Sequence, residues 1–157
     1  MPELIVENRD AVRLLRLNRP EKHNALNTAL TTALLDALSQ AERDSTVRAV
    51  VLTGNGKSFC AGADTTEFSG LTMEQPEAVL ARADLTSDLH LVFSRMTKPV
   101  VGAVHGNALH GGGEHFFIQR APGPRQVQAD AATVLAVRAA ANQPAFNQLG
   151  HRAAGLA

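Results

Sequence analysis

Arg48-Ala49-Val50-Val51-Leu52-Thr53-Gly54-Asn55-Gly56-Lys57-Ser58-Phe59-Cys60-Ala61-Gly62-Ala63-Asp64 is the run on which the reading of this chain turns. Its first six residues are apolar and β-branched enough for a buried strand, and Gly54-Asn55-Gly56 closes it with turn residues. Gly56-Lys57-Ser58 resembles the end of a phosphate-binding loop. The glycine which that motif needs five residues earlier is Val51, so nucleotide hydrolysis is not indicated. Cys60 lies in an apolar stretch and reads as a buried small hydrophobe, not a nucleophile.

On the N-terminal side, Leu4-Ile5-Val6 and Val12 to Leu17 are short β-prone runs. Asn8-Arg9-Asp10 between them predicts a hairpin turn. Pro20 ends the second run by driving Arg19 out of helical geometry. A helix follows, with Asn27 or Thr28 as N-cap. Leu30, Leu34, Ala37, Leu38 and Ala41 form its apolar stripe. On the C-terminal side, a second helix fits about Pro76 to Met96, with Val79, Ala83, Thr86, Leu89, Phe93 and Met96 on one side. Pro99 to Val104 is another strand, Gly106 to Gly113 a glycine-rich loop, and Glu114 to Gln119 the start of a helix. Strand, strand, helix, strand, helix, strand and glycine loop, in that order, predict an α/β fold with mixed sheet pairing. Residues 1–120 read as the core. Ala121-Pro122-Gly123-Pro124 breaks any regular element, and residues 121–157 form an Ala/Gln-rich tail, helical or disordered. Ala129 to Ala141 is the helical part by propensity.

Composition narrows the function. The chain has 157 residues, enough for one domain with a real core, and its 45% apolar and 19% charged residues are ordinary for a globular protein. Formal net charge is zero, and Trp and Tyr are missing, so neither phosphate tracking nor base stacking is favoured; no nucleic-acid partner is expected. No apolar run approaches the ~20 residues that cross a bilayer, and no signal peptide is legible. With Cys60 the only cysteine, a reducing, cytoplasmic setting is expected.

Three segments together resemble the enoyl-CoA hydratase/isomerase (crotonase) family. They are Leu17-Asn18-Arg19-Pro20 with Asn24-Ala25-Leu26, then Gly54 to Asp64, then Lys98 to Leu109 running into Gly111-Gly112-Gly113. Each is weak alone; the three in this order are specific. The resemblance covers residues from about 3 to about 114. It implies the ClpP/crotonase spiral of strand-strand-helix units, here incomplete and without the C-terminal helices that close the pocket and build the family's trimers and hexamers. It implies an acyl-CoA thioester as ligand, a place in fatty-acid metabolism, and no separate cofactor, because coenzyme A is part of the substrate. It also implies an oxyanion hole of two backbone N–H groups, which fall by position on Ala63 and Gly111. The reaction passes through a thioester enolate, and such preorganised donors stabilise its oxygen by ~3–4 kcal/mol each. Substrate contacts fall on His23, Ala25, Ala61 and Asp64. Arg19, Lys22 and Lys57 are either phosphate contacts or solvated surface charges.

Family hydratases use two glutamates to hold and activate water. Ala108-Leu109-His110-Gly111-Gly112-Gly113-Glu114 matches the family's glycine loop without a gap, and Glu114 then takes the place of the first. If His110 is an insertion, Glu114 is accidental. The second glutamate has no counterpart: downstream of Glu114 the only carboxylate side chain is Asp130. Two readings follow, a hydratase or isomerase working through Glu114, or a catalytically inactive remnant that at most binds CoA thioesters. His110-Gly111-Gly112-Gly113 also resembles an esterase loop, but no Gly-x-Ser-x-Gly elbow accompanies it. His105, His110, Glu114 and His115 match no standard zinc spacing, and no metal is expected.

Overall fold

The computed structural model describes residues 1–68, 76–108 and 127–138. A mixed sheet of six strands carries the fold. Strand β1 (Leu4–Arg9) runs antiparallel to β2 (Val12–Leu17), which lies parallel to β3 (Ala49–Gly54). Next comes β5 (Val100–Ala108), parallel to β3 through residues 100–103 and to the short β4 (Ser58–Cys60) through 106–108. Strands β3 and β4 therefore lie end to end along β5. Strand β6 (Val127–Arg138) pairs antiparallel along the whole of β5. Helices α1 (Thr28–Arg43) and α3 (Pro76–Arg95) pack together, and one-turn α2 (Thr65–Phe68) lies between β4 and α3 in sequence. The predicted α/β architecture with mixed pairing is the observed one.

Alternation sets which face each strand buries. Leu15 and Leu17 of β2, Val50 and Leu52 of β3, and Val100 and Val104 of β5 are fully or almost fully buried. They meet Leu30, Leu34 and Leu38 of α1, Leu89 and Phe93 of α3, and Phe59 of β4 in one continuous core. The alternate residues Leu14, Val51 and Val101 are half-buried and still apolar. A central parallel strand has no freely solvated face, and its sequence reads as a continuous apolar run.

The ends of α1 are satisfied by side chains. The Asn27 Oδ1 accepts from the Leu30 N–H at 2.8 Å, which makes Asn27 the N-cap. At the other end the Lys98 ammonium donates to the carbonyls of Ala41 and Asp44, at 2.6 and 2.5 Å. A cation there satisfies orphan carbonyls and complements the helix dipole, and it ties the entry of β5 to α1.

Four expectations are corrected. The hairpin loop is Asp10-Ala11, because Asn8 and Arg9 pair with Arg13 and Val12; Asp10 takes the positive φ of 51° that tightens the turn. Of the stripe predicted on α3, Leu89 and Phe93 are buried and Met96 follows just beyond the helix, but Val79 and Ala83 are exposed. The apolar side chains that α3 buries lie in its C-terminal half, while its first half buries Arg82. Gly106 to Ala108 belong to β5 and not to a loop. At Gly106 φ is +56°, and a Cβ there would lie 1.9 Å from the carbonyl oxygen of Lys57, the residue before β4. Finally, Ala129 to Arg138 are strand and not helix. The free edge of β5 offers a full row of backbone donors and acceptors, and such tertiary pairing outweighs the small helical preference of alanine. The predicted loop from Leu109 to Gly113, the helix start at Glu114 and the boundary at residue 120 lie outside the described residues.

Candidate functional site

Ala63 is the sequence-predicted oxyanion donor that the structure describes. After β4 the chain runs through Ala61 and Gly62, whose φ of +89° turns the backbone in a direction that a side chain would resist. Ala63 then forms a parallel bridge with Leu26. The Leu26 N–H donates to the Gly62 carbonyl at 2.7 Å, and the Asp64 N–H donates to the Leu26 carbonyl at 3.0 Å. In such a bridge the residue flanked by the two bonds turns its own N–H and C=O to the opposite side. The Ala63 N–H accordingly has no acceptor among the described residues. Ala63 itself is one of the residues that line a small cavity, with Leu26, Thr31, Arg82, Thr86 and Leu89. A half-buried amide without a partner is uncommon and is suited to an external acceptor.

Two arginines brace this bridge. Arg19 donates through Nη1 to the Ala25 carbonyl at 2.5 Å and to Asp64 Oδ2 at 2.9 Å, and its Nε lies 3.3 Å from Glu3. The side chain is only 11% exposed, so Arg19 is a structural clamp and the phosphate-contact reading is withdrawn. Arg82, buried on α3, donates through Nη2 to the Leu26 carbonyl at 2.8 Å and through Nη1 to Thr86 Oγ1 at 2.9 Å. Its Nε lies 3.3 Å from Glu67. The Glu67 carboxylate accepts from the Thr28 N–H and hydroxyl at the start of α1, where negative charge is favoured.

The four predicted substrate contacts fall in one hydrogen-bonded cluster. His23 is exposed, with φ 51°, and its Nδ1 shares a 3.0 Å hydrogen bond with Ser58 Oγ. Its carbonyl accepts from the Ala61 N–H at 2.9 Å. Ala25 is buried, with its carbonyl held by Arg19. Asp64 is buried, and both its oxygens are engaged inside the protein: Oδ1 accepts from the Thr66 hydroxyl at 2.6 Å and the Thr66 N–H at 3.1 Å, and Oδ2 from Arg19. The Thr66 hydroxyl first, and then the Arg19 bond and charge, hold the Asp64 carboxyl below its ordinary range despite burial. Lys22 and Lys57 are exposed. Gly111 and Glu114 lie outside the described residues.

Sequence reasoning quoted Asn24 but gave it no role. It is fully buried with φ 57°. Its Nδ2 donates to the Ser58 carbonyl at 2.7 Å and the Asn55 carbonyl at 2.9 Å, and its Oδ1 accepts from the Arg19 N–H at 2.9 Å. Asn24 thus joins the first two motif segments. Arg82 and Glu67 were also missed. A signal existed for Arg82, since residues 82, 86, 89 and 93 lie on one helical face, and a lone arginine there points to a buried partner. Cys60 is buried as expected, and burial raises its thiol pKa to about 11; its Sγ donates to the Asn24 carbonyl at 3.3 Å. It is a protonated packing group at neutral pH and not a nucleophile. Among the described residues no cluster of three or more His, Cys, Asp or Glu is arranged to hold a metal, and no helix is long and apolar enough to cross a membrane.

The family model described as enoyl-CoA hydratase/isomerase matches residues 7–118. The chain is 39% identical over 114 residues to the 2,3-dehydroadipyl-CoA hydratase of Escherichia coli K12, an overlap of 73% of this chain and 43% of that protein. It is 36% identical over 106 residues to the mitochondrial Delta(3,5)-Delta(2,4)-dienoyl-CoA isomerase of Rattus norvegicus, covering 62% of this chain and 32% of that one. Among solved structures, a putative enoyl-CoA hydratase/isomerase (crotonase) from Legionella pneumophila aligns with a TM-score of 0.66 at 36% identity, over 73% of this chain and 44% of that one. An enoyl-CoA hydratase from Mycobacterium smegmatis gives the same TM-score and identity, with 74% and 45% covered. The chain therefore spans less than half the length of these relatives. A family match over most of the chain, together with solved family structures that share its fold, establishes that the chain belongs to the enoyl-CoA hydratase/isomerase (crotonase) family.

Proposed function

We propose that this chain binds the thioester of an acyl-CoA and stabilises its enolate oxygen, in the manner of a hydratase or isomerase of fatty-acid metabolism. The observation that carries the reading is the Ala63 N–H, which faces away from Leu26 with no internal acceptor among the described residues. The Gly111 N–H is the second donor. With the thioester oxygen between them, negative charge that develops on that oxygen meets fixed dipoles that need no reorganisation. Glu114 then acts as the proton carrier: its carboxylate removes a proton from Cα or Cγ, and the acid so formed returns it to the other carbon. The exposed Lys22, His23 and Lys57 border the same cluster and are available to the polar portion of coenzyme A. The relatives include proteins named as hydratase and as isomerase, so the family alone does not select between the two reactions.

A second reading is favoured by one observation in the sequence. About twenty residues beyond Glu114, where the resemblance implies a second glutamate, the sequence reads Thr133-Val134-Leu135. A thioester-binding protein without turnover is the corresponding function. Calorimetry with acetyl-CoA and an assay of crotonyl-CoA hydration and 3-enoyl-CoA isomerisation separate the readings. The enzyme reading predicts binding and turnover, with Glu114→Gln lowering turnover by ~100-fold or more. Binding without turnover supports the second reading. Absence of binding by a cooperatively folded protein sinks both.

A further inference from the structure

The direction of the Ala63 N–H is set by its bridge partner, and that partner is held from outside the bridge. The Leu26 carbonyl accepts two bonds, from the Asp64 N–H at 3.0 Å and from Arg82 Nη2 at 2.8 Å. Arg82 is itself fixed at two further points, Thr86 Oγ1 at 2.9 Å and the Glu67 carboxylate at 3.3 Å. Glu67 is fixed in turn at the first amide of α1. Helices α1, α2 and α3 therefore converge, through one guanidinium, on one backbone carbonyl. A planar fork with several donors is suited to this, because each bond restricts the orientation of the others. Arg82 and Thr86 also line the cavity that Ala63 borders.

We infer that Arg82 is a positioning residue for the oxyanion donor: by holding the Leu26 carbonyl it fixes the Leu26–Ala63 bridge, and so the angle at which the Ala63 N–H is presented. The consequence for a ligand rests on the thioester reading given above. The mechanical part does not. Small misalignment matters, because a hydrogen bond weakens steeply with angle, and a donor that must first reorient stabilises developing charge less.

The test uses the full chain, with Arg82→Met, Arg82→Lys and Thr86→Val. Thr86→Val removes one anchor of the guanidinium without burying an unpaired charge, and it serves should Arg82→Met not fold. Residual dipolar couplings of the Ala63 15N–1H pair in the unliganded protein report the angle directly. Infrared difference spectra of bound acetyl-CoA labelled with 13C at the thioester carbonyl report polarisation. The inference predicts a changed Ala63 coupling in Arg82→Met and a smaller change in Thr86→Val, with partial recovery in Arg82→Lys. It further predicts that the carbonyl downshift seen with the parent falls by about half or more, while acetyl-CoA affinity changes by less than roughly threefold. Couplings and downshift unchanged in the folded variants overturn the inference and leave the thioester reading intact. Altered couplings in variants of a parent that shows no carbonyl downshift leave the positioning role standing and sink the thioester reading instead.

Discussion

Asn24 is the residue on which the two motif turns depend. Its side chain holds the Ser58 and Asn55 carbonyls and the Arg19 N–H, and its backbone takes φ 57°. Asn24→Ala leaves three polar groups short of a partner and puts in the left-handed region a residue that tolerates it less well than asparagine. The expected loss of stability is ~3 kcal/mol, measured by urea unfolding. Asn24→Gly removes the conformational strain only, and should recover about 1 kcal/mol of that loss. This role was not legible beforehand. Asn24 stands 31 residues from Asn55 and 34 from Ser58, and periodicity cannot report a contact of that range. Arg19 was misread for a related reason. A charged residue beside a proline looks solvent-facing until its partner Asp64, 45 residues away, is brought alongside. The expectation for Ala63 came from the family resemblance alone; what the structure adds is Gly62 at φ +89° and an Ala63 N–H without an acceptor among the described residues.

At the scale of elements, what could be read followed from local pattern. Helix α1 shows the predicted stripe, with Leu30, Leu34, Ala37, Leu38 and Ala41 all buried, and Asn27 caps it. Asn27→Ala should cost ~1 kcal/mol by thermal or urea unfolding. A much larger loss would mean that the cap also positions Leu26, its neighbour in the bridge. The N-terminal half of α3 was not legible, since an apolar spacing such as Val79 and Ala83 fixes a face without saying that a neighbour covers it. Strand β6 was not legible either. Alanine and glutamine carry a weak helical preference, and the decisive factor was the unpaired edge of β5, which lies at another place in the chain.

For the molecule as a whole, charge and burial set the response to acid. Asp64 is lowered by the Thr66 hydroxyl and by Arg19. Asp44 is lowered by Thr46 and then by Arg13. In Glu42 burial opposes the shift, but bonds from Thr97 and Lys98 outweigh it. Each folded value lies below its unfolded value, so each group contributes stability that is present above the ordinary carboxyl range. That contribution is lost as pH falls through the folded value. Urea midpoints should therefore hold steady from about pH 7 to 5 and fall below about pH 4, and Asp64→Asn should flatten that fall. An equally steep acid limb in Asp64→Asn would show that the Arg19–Asp64 pair contributes nothing to it.

Thioester binding by this chain would turn on one amide offered to a thioester oxygen, and the amide can be watched directly. Two-dimensional 15N–1H spectra of the full chain, titrated with acetyl-CoA and separately with free coenzyme A, compare a ligand that has the carbonyl with one that lacks it. The Ala63 proton should move strongly downfield with acetyl-CoA and barely with coenzyme A, while resonances around His23 and Ala61 respond to both. An Ala63 resonance that stays in place while acetyl-CoA binds would contradict the assignment of this amide as the oxyanion donor.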